Sequence, residues 1–217
     1  MLDSRGNIAL ACALSALAGY VDAIGFLHLG GLFVSFMSGN STRMGVSLAA
    51  ADWPNAVKAL GLIALFVIGA AGGSLIVLGR GANGQPLLLL TEAALLAAAA
   101  LGHAFGFSPL AMAAIVMAMG LENAMFQIHG GAGLGLTYVT GALVKVGQSL
   151  ATALRGGSRF GGLPNLLLWA ALVAGSALGA LVYRWINLHA IWFAAGTAVI
   201  LSALVATAAR RPWPVRN

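Results

Sequence analysis

Side chains able to do chemistry are few in this sequence, and they fall into two corresponding groups. Ser38-Gly39-Asn40-Ser41-Thr42-Arg43 interrupts one apolar run, and Thr140 and Gly141, with Lys145 and Gln148, interrupt another. A carboxyl group precedes each: Asp22 the first, and Glu122, beside Asn123, the second. Glycine permits left-handed backbone, whereas Ser, Asn and Thr favour helix caps over helix interiors. The first group therefore predicts a helix broken near Gly39, with a new helix starting around Asn40 or Ser41. Free N–H groups and the partial positive charge at such a start attract anions, and Arg43 in that first turn strengthens the attraction. Thr140-Gly141 with Lys145 is a weaker copy, because Ala142 stands where Asn40 supplies an amide. The chemistry implied is the holding of a small negatively charged group. Asp22 and Glu122 then balance Arg43 and Lys145 or carry a coupling proton.

Each of these features has a plainer alternative. Ser and Thr hydroxyls can bond back to carbonyls of their own helix, leaving Arg43 to reach outward. A buried Asp22 or Glu122 can be neutral, or paired with Arg43 or Lys145. His28 and His129 sit at corresponding turns, while His103 and His189 lie near segment ends. Their spacing makes no metal motif, although imidazole titrates near neutrality and leaves a proton-linked role open. There is no Ser-His-Asp order, nucleotide-binding glycine loop, zincin motif or cysteine pair. The expectation is a protein that is not an enzyme and holds no cofactor, and the single Cys12 excludes an internal disulfide.

Composition dictates the elements that must position these residues. The chain has 217 residues, 60% of them apolar and 7% charged, with a net charge of +6 and a mean hydropathy of +0.95. A soluble domain is about 25% charged, so the solvent of this chain is expected to be lipid. The scattered basic residues form no water-facing patch of the kind nucleic acid requires. Long apolar runs at about 7–27, 32–51, 56–78, 86–105, 108–127, 134–153, 163–183 and 187–208 predict an all-α polytopic membrane protein, a single integral membrane domain over 1–217. The first run is expected to be a retained helix and not a cleaved signal. Trp53, Trp185, Trp192 and Trp213 lie near run ends, where an interfacial aromatic belt places them.

Six runs are plainly apolar, and the two polar ones resemble each other. Residues 38–51 laid over 140–153 agree at six of fourteen positions, with Arg43 over Lys145 between paired glycines. His28 with Gly30-Gly31 is echoed by His129 with Gly130-Gly131, and Gly69-x-x-x-Gly73 by Gly175-x-x-x-Gly179. These small-residue pairs read as close helix packing in lipid. The pattern predicts two tandem repeats, about 1–106 and 107–217, each with four membrane segments, one of them polar and broken or re-entrant. If all eight runs cross, the repeats are parallel; if the polar ones dip in and return, six runs cross and the repeats are inverted. Basic residues divide seven against two either way, and both arrangements put the two termini in the cytoplasm.

Gly19-Tyr20-Val21-Asp22-Ala23-Ile24-Gly25-Phe26, followed by Gly31-Leu32-Phe33-Val34-Ser35-Phe36-Met37-Ser38-Gly39-Asn40, closely resembles the signature of YoaK-like bacterial membrane proteins. These are small polytopic proteins named as a domain of unknown function, so the resemblance implies a bacterial inner-membrane location and supplies neither substrate nor catalytic residue. Function rests on the physical reading. That reading favours a secondary transporter or channel-like permease for a small polar or anionic solute, its site where the two broken helices meet and its working unit a homodimer. The competing reading is a non-transporting assembly or sensor protein whose polar residues form a packing network.

Overall fold

A computed structural model describes residues 5–125, 139–158 and 160–209 of the chain. His129, Gly130, Gly131 and Trp213 lie outside the described residues, as does Thr137, which belongs with Thr140 to the second polar run. Within them the secondary structure is helical: α1 (Arg5–His28), α2 (Met37–Ala49), α3 (Trp53–Arg80), α4 (Gly84–Ala104), α5 (Ser108–Glu122), α6 (Val139–Leu154), α7 (Leu163–Ile186) and α8 (Ile191–Ala209). Short 3-10 turns, Gly81–Asn83 and Asn187–Ala190, precede α4 and α8.

The ends of these helices follow from the punctuation. Asp52 caps α3 by accepting the Asn55 N–H at 3.3 Å, and proline stands in the opening turns of α3, α5 and α7, where its missing N–H costs nothing. The helices α3 and α7 stop at Gly81 and Asn187, whose φ angles of 56° and 55° no helix can continue.

Helix length separates spans from the rest. Gly6–His28, Trp53–Arg80, Gly84–Ala104 and the stretch Leu163–Ala208 are long and apolar enough to cross a membrane. The last covers 46 residues and would reach about 69 Å if straight, against a hydrocarbon core of about 30 Å; the turn at Asn187 divides it into α7 and α8. By contrast α2 has 13 residues, α5 has 15 and α6, over the described residues, has 16, lengths of about 20 to 24 Å. Over the described residues none of the three reaches the length a crossing helix needs. The predicted break near Gly39 is corrected accordingly: helix α2 begins at Met37, and the non-helical stretch lies before it, around Gly30 and Gly31.

Side-chain contacts fix the directions. The rings of His28 and His103 lie 6.0 Å apart, those of His103 and His189 5.4 Å, and His28 Nδ1 meets the Tyr183 hydroxyl at 3.1 Å. One end of the bundle therefore holds the last residues of α1, α4 and α7. At the other end the Gln85 amide donates to the Met125 carbonyl at 3.1 Å and the Ser202 hydroxyl to the Pro86 carbonyl at 2.8 Å. It follows that α5 runs opposite to α1, and α8 opposite to α4.

Glycine sets the closest approaches. A Cβ at Gly175 would overlap the Ala16 carbonyl and one at Gly179 the Tyr20 carbonyl, so α7 lies directly on α1. Gly69 and Gly73 meet the Met117 and Leu121 carbonyls in the same way, laying α3 on α5. The contacts are reciprocal, with Gly19 against the Leu172 carbonyl and Gly120 against the Phe66 carbonyl. In lipid, where apolar burial gives helices little drive to associate, this close backbone packing supplies the cohesion. Large apolar side chains face outward instead, with Leu78 78% and Trp185 82% exposed.

Candidate functional site

The first polar group is built on a loop that folds back against α1. Beyond His28 the chain turns at Gly30 and Gly31, whose φ angles of 65° and 102° suit glycine. It then returns along α1 until Val34 packs on Gly25, where a side chain would collide with the valine methyls. There Asp22 Oδ1 accepts the N–H groups of Val34 and Ser35, each at 2.8 Å. Asn40 secures the same loop from α2: its Oδ1 accepts the Phe33 N–H at 2.9 Å, and its amide donates to the Phe33 carbonyl at 2.7 Å. A buried amide bonded in this fashion replaces a missing rung of secondary structure.

This arrangement revises several expected roles. The carboxylate of Asp22 already occupies the place before α2 where an anion was expected. The N–H groups of Gly39 and Asn40 go to the Phe36 carbonyl. Gly39 makes room for the Phe33 and Phe36 rings, themselves 5.3 Å apart. The hydroxyls of Ser41 and Thr42 donate to the Met37 and Ser38 carbonyls of their own helix, at 2.9 and 3.2 Å, and Ser38 is exposed. The plainer alternative holds for these two hydroxyls, and Asp22 and Asn40 act on the loop.

Arg43 behaves differently. Its guanidinium covers Gly31 and lies 6.0 Å from the centre of the Phe26 ring. Among the described residues no ion pair joins it to Asp22 or Glu122. With Thr42, Ser47 and Asn55 it lines an open hollow of about 350 Å³ between α2, the Gly30 turn and the start of α3. A second hollow, of about 270 Å³, lies beside α6 and is lined by Lys145, Gln148, Ser149, Thr152, Ser158 and Asn165. Arg43 and Lys145, Ser47 and Ser149, and Asn55 and Asn165 occupy matching places, each asparagine following a proline one residue into the next helix. Thr140 is exposed and Gly141 half-buried in the first turn of α6. The helices α2 and α6 do not touch among the described residues. The expected meeting of the two polar segments in one site is therefore replaced by two separate hollows.

Glu122 ends α5 fully buried, and the Asn123 amide donates to the Met119 carbonyl at 2.8 Å. Its nearest acidic neighbour is one the motif reading passed over, Glu92 on α4, which is 0% exposed. The signal was present, since an ionisable residue in the middle of an apolar run is a site candidate by default. Asn55 and Asn165 were missed because both sit in helix-start signals that explain themselves locally. Among the described residues no group of three or more His, Cys, Asp or Glu side chains is placed to hold a metal ion.

Comparison with known proteins agrees with a membrane location. The chain is 36% identical over 214 residues to a UPF0700 transmembrane protein of Rhizobium meliloti (strain 1021), covering 98% of this chain and 92% of that relative. No solved structure matches it. The family model described as protein of unknown function, DUF1275, matches residues 10–204. With its apolar helices and its transmembrane relative, this is a membrane protein, and it belongs to the DUF1275 family.

Proposed function

We propose that this protein is a secondary transporter for a small anion, built from two inverted repeats, about 1–106 and 107–217. Each repeat contributes three crossing helices and one re-entrant segment. The observation that carries the reading is the pair of matching hollows, each lined by a serine, an asparagine and a cation that forms no ion pair among the described residues. A cation beside neutral donors, open to water and without a carboxylate partner, recognises negative charge.

The repeat reading is supported by element order and by packing. An apolar helix, a short polar helix, a long helix, a 3-10 turn and a further long helix occur twice in succession, α5 with 15 residues standing where α1 has 24, and the reciprocal glycine contacts exchange α1 with α5 and α3 with α7. Because α5 runs against α1, the second unit is upside down relative to the first. Inverted repeats of this kind underlie alternating access in many transporters. Arg5, Arg80 and Arg155 then share one side with the start of α1 and the end of α8, while Lys58 and Arg184 lie on the other. Under the positive-inside rule that side is cytoplasmic, in a bacterial inner membrane. A homodimer completes the path, and the solute is bound without any covalent step.

Reconstitution into liposomes tests the assignment. Uptake of small anions is expected to fall at least tenfold in Arg43→Ala and in Lys145→Ala, and to persist in Ser41→Ala. Uptake unchanged in both cation variants overturns it.

A further inference from the structure

The α4–α5 hairpin encloses two carboxyl groups to which the anion hollows give no role. Glu92 is 0% and Glu122 1% exposed. Both carboxyl oxygens of Glu92, and Oε1 of Glu122, are buried without a hydrogen-bond partner among the described residues. The register of the hairpin, set by Gln85 on Met125 at one end and by Gly102 near Ala111 at the other, brings Glu92 within a helical turn of Glu122. The two groups also act on each other electrostatically.

Among the described residues, their surroundings offer no other partner. Leu88, Leu89, Leu96 and Met119 are fully buried about them, and Ser202, the buried hydroxyl on α8, is committed to the Pro86 carbonyl. No titratable side chain lies on α8 between residues 191 and 208. On α3 the charged residues are Lys58 and Arg80, near its two ends. On α1 the Tyr20 hydroxyl donates to the Ala190 carbonyl, Asp22 holds the loop, and Cys12 is the remaining interior titratable group. His103 and His189 sit at the far end of the bundle. Of these groups, Glu92 is the one placed to act on Glu122.

Two carboxylates in an apolar interior without donors are too costly to persist; something positive must join them. Hard metal cations such as Ca²⁺ gather about six or more oxygens, far beyond this shell. A single proton suffices, because a carboxyl donating to a carboxylate forms one short charge-assisted bond that serves both groups. We propose that Glu92 and Glu122 form a one-proton site within the α4–α5 hairpin, filled and emptied as the protein works. The proton comes from bulk water, adds to one carboxylate oxygen and leaves from it, with no other bond made or broken. As a coupling site it rests on the transport reading; as a proton site it does not.

The test is infrared difference spectroscopy of the protein in liposomes, taken between mildly acidic and mildly alkaline buffer. With only five acidic side chains in the chain, assignment is tractable. The wild type is expected to show a protonated-carboxyl stretching band that shifts in D2O and titrates with pH. Glu92→Gln and Glu122→Gln each abolish it or displace its midpoint, and the double variant lacks it. A band indifferent to pH makes the pair a fixed packing element and overturns the proposal. So does a titration that neither substitution alters, or a band removed by sodium at constant pH. Where the variants fail to fold, the wild-type pH, D2O and sodium responses decide alone. None of these readouts depends on flux, so failed transport and a failed proton site are told apart.

Discussion

The Asp22 carboxylate, embedded in α1, holds the backbone N–H of Val34 at 2.8 Å, and by that bond ties the returning loop to the span it has just left. Hydrogen bonds to a charged acceptor are worth about 1.5–3 kcal/mol each, and the same oxygen serves Ser35. Asp22→Ala strands both donors and is expected to cost at least about 3 kcal/mol. Asp22→Asn keeps an acceptor oxygen and is expected to lose less than half of that. Unfolding titrations in detergent micelles measure the difference, and equal losses would mean that the acceptor geometry is immaterial.

Neighbouring glycines in α3 offer a sharper contrast. Nothing lies near a Cβ placed at Gly72, whereas one at Gly73 would press on the Leu121 carbonyl and Ala124. Gly72→Ala is expected to be neutral or to stabilise by up to about 1 kcal/mol through helix propensity. Gly73→Ala forces α3 from α5 and is expected to cost about 1–3 kcal/mol. Thermal melting of the two single variants checks this, and similar melting temperatures would contradict the packing described.

Glu92 and Glu122 should stand or fall together. Glu92→Met fills a similar volume but leaves the Glu122 carboxyl alone in the apolar hairpin, where an unpaired buried polar group costs about 1–3 kcal/mol; replacing both by Met removes that cost. The single variant is expected to melt below the double variant, and both to lose the titrating infrared band. A single variant that melts as high as the double one would show that the two carboxyls share no bond.

Much of this arrangement is legible in the sequence because lipid simplifies the code. Apolar runs fall within a few residues of the helices they predict, and proline at the second position of α7 places its start. The small-residue pairs Gly69/Gly73 and Gly175/Gly179 announce the close contacts they make. The loop before α2 is less legible. Gly39 looks like a helix breaker because its residue type is read alone, whereas its smallness serves two phenylalanine rings from the preceding turn. Asp22 looks available for a solute because no local pattern reveals that a chain twelve residues later folds back onto it. Glu92 lies among leucines and alanines that give it no motif, and only the hairpin brings it to Glu122. Long-range pairing carries that information, and spacing along one chain does not contain it.

The central claim is that the two hollows open on opposite faces of the membrane, because the second repeat is inverted. Single cysteines introduced as Ser47→Cys and Ser149→Cys in a Cys12→Ala background, probed with a membrane-impermeant thiol reagent on intact cells, test it most directly. The account predicts that Ser47→Cys is labelled from outside and Ser149→Cys only after the membrane is opened. Labelling of both from the same side would contradict it.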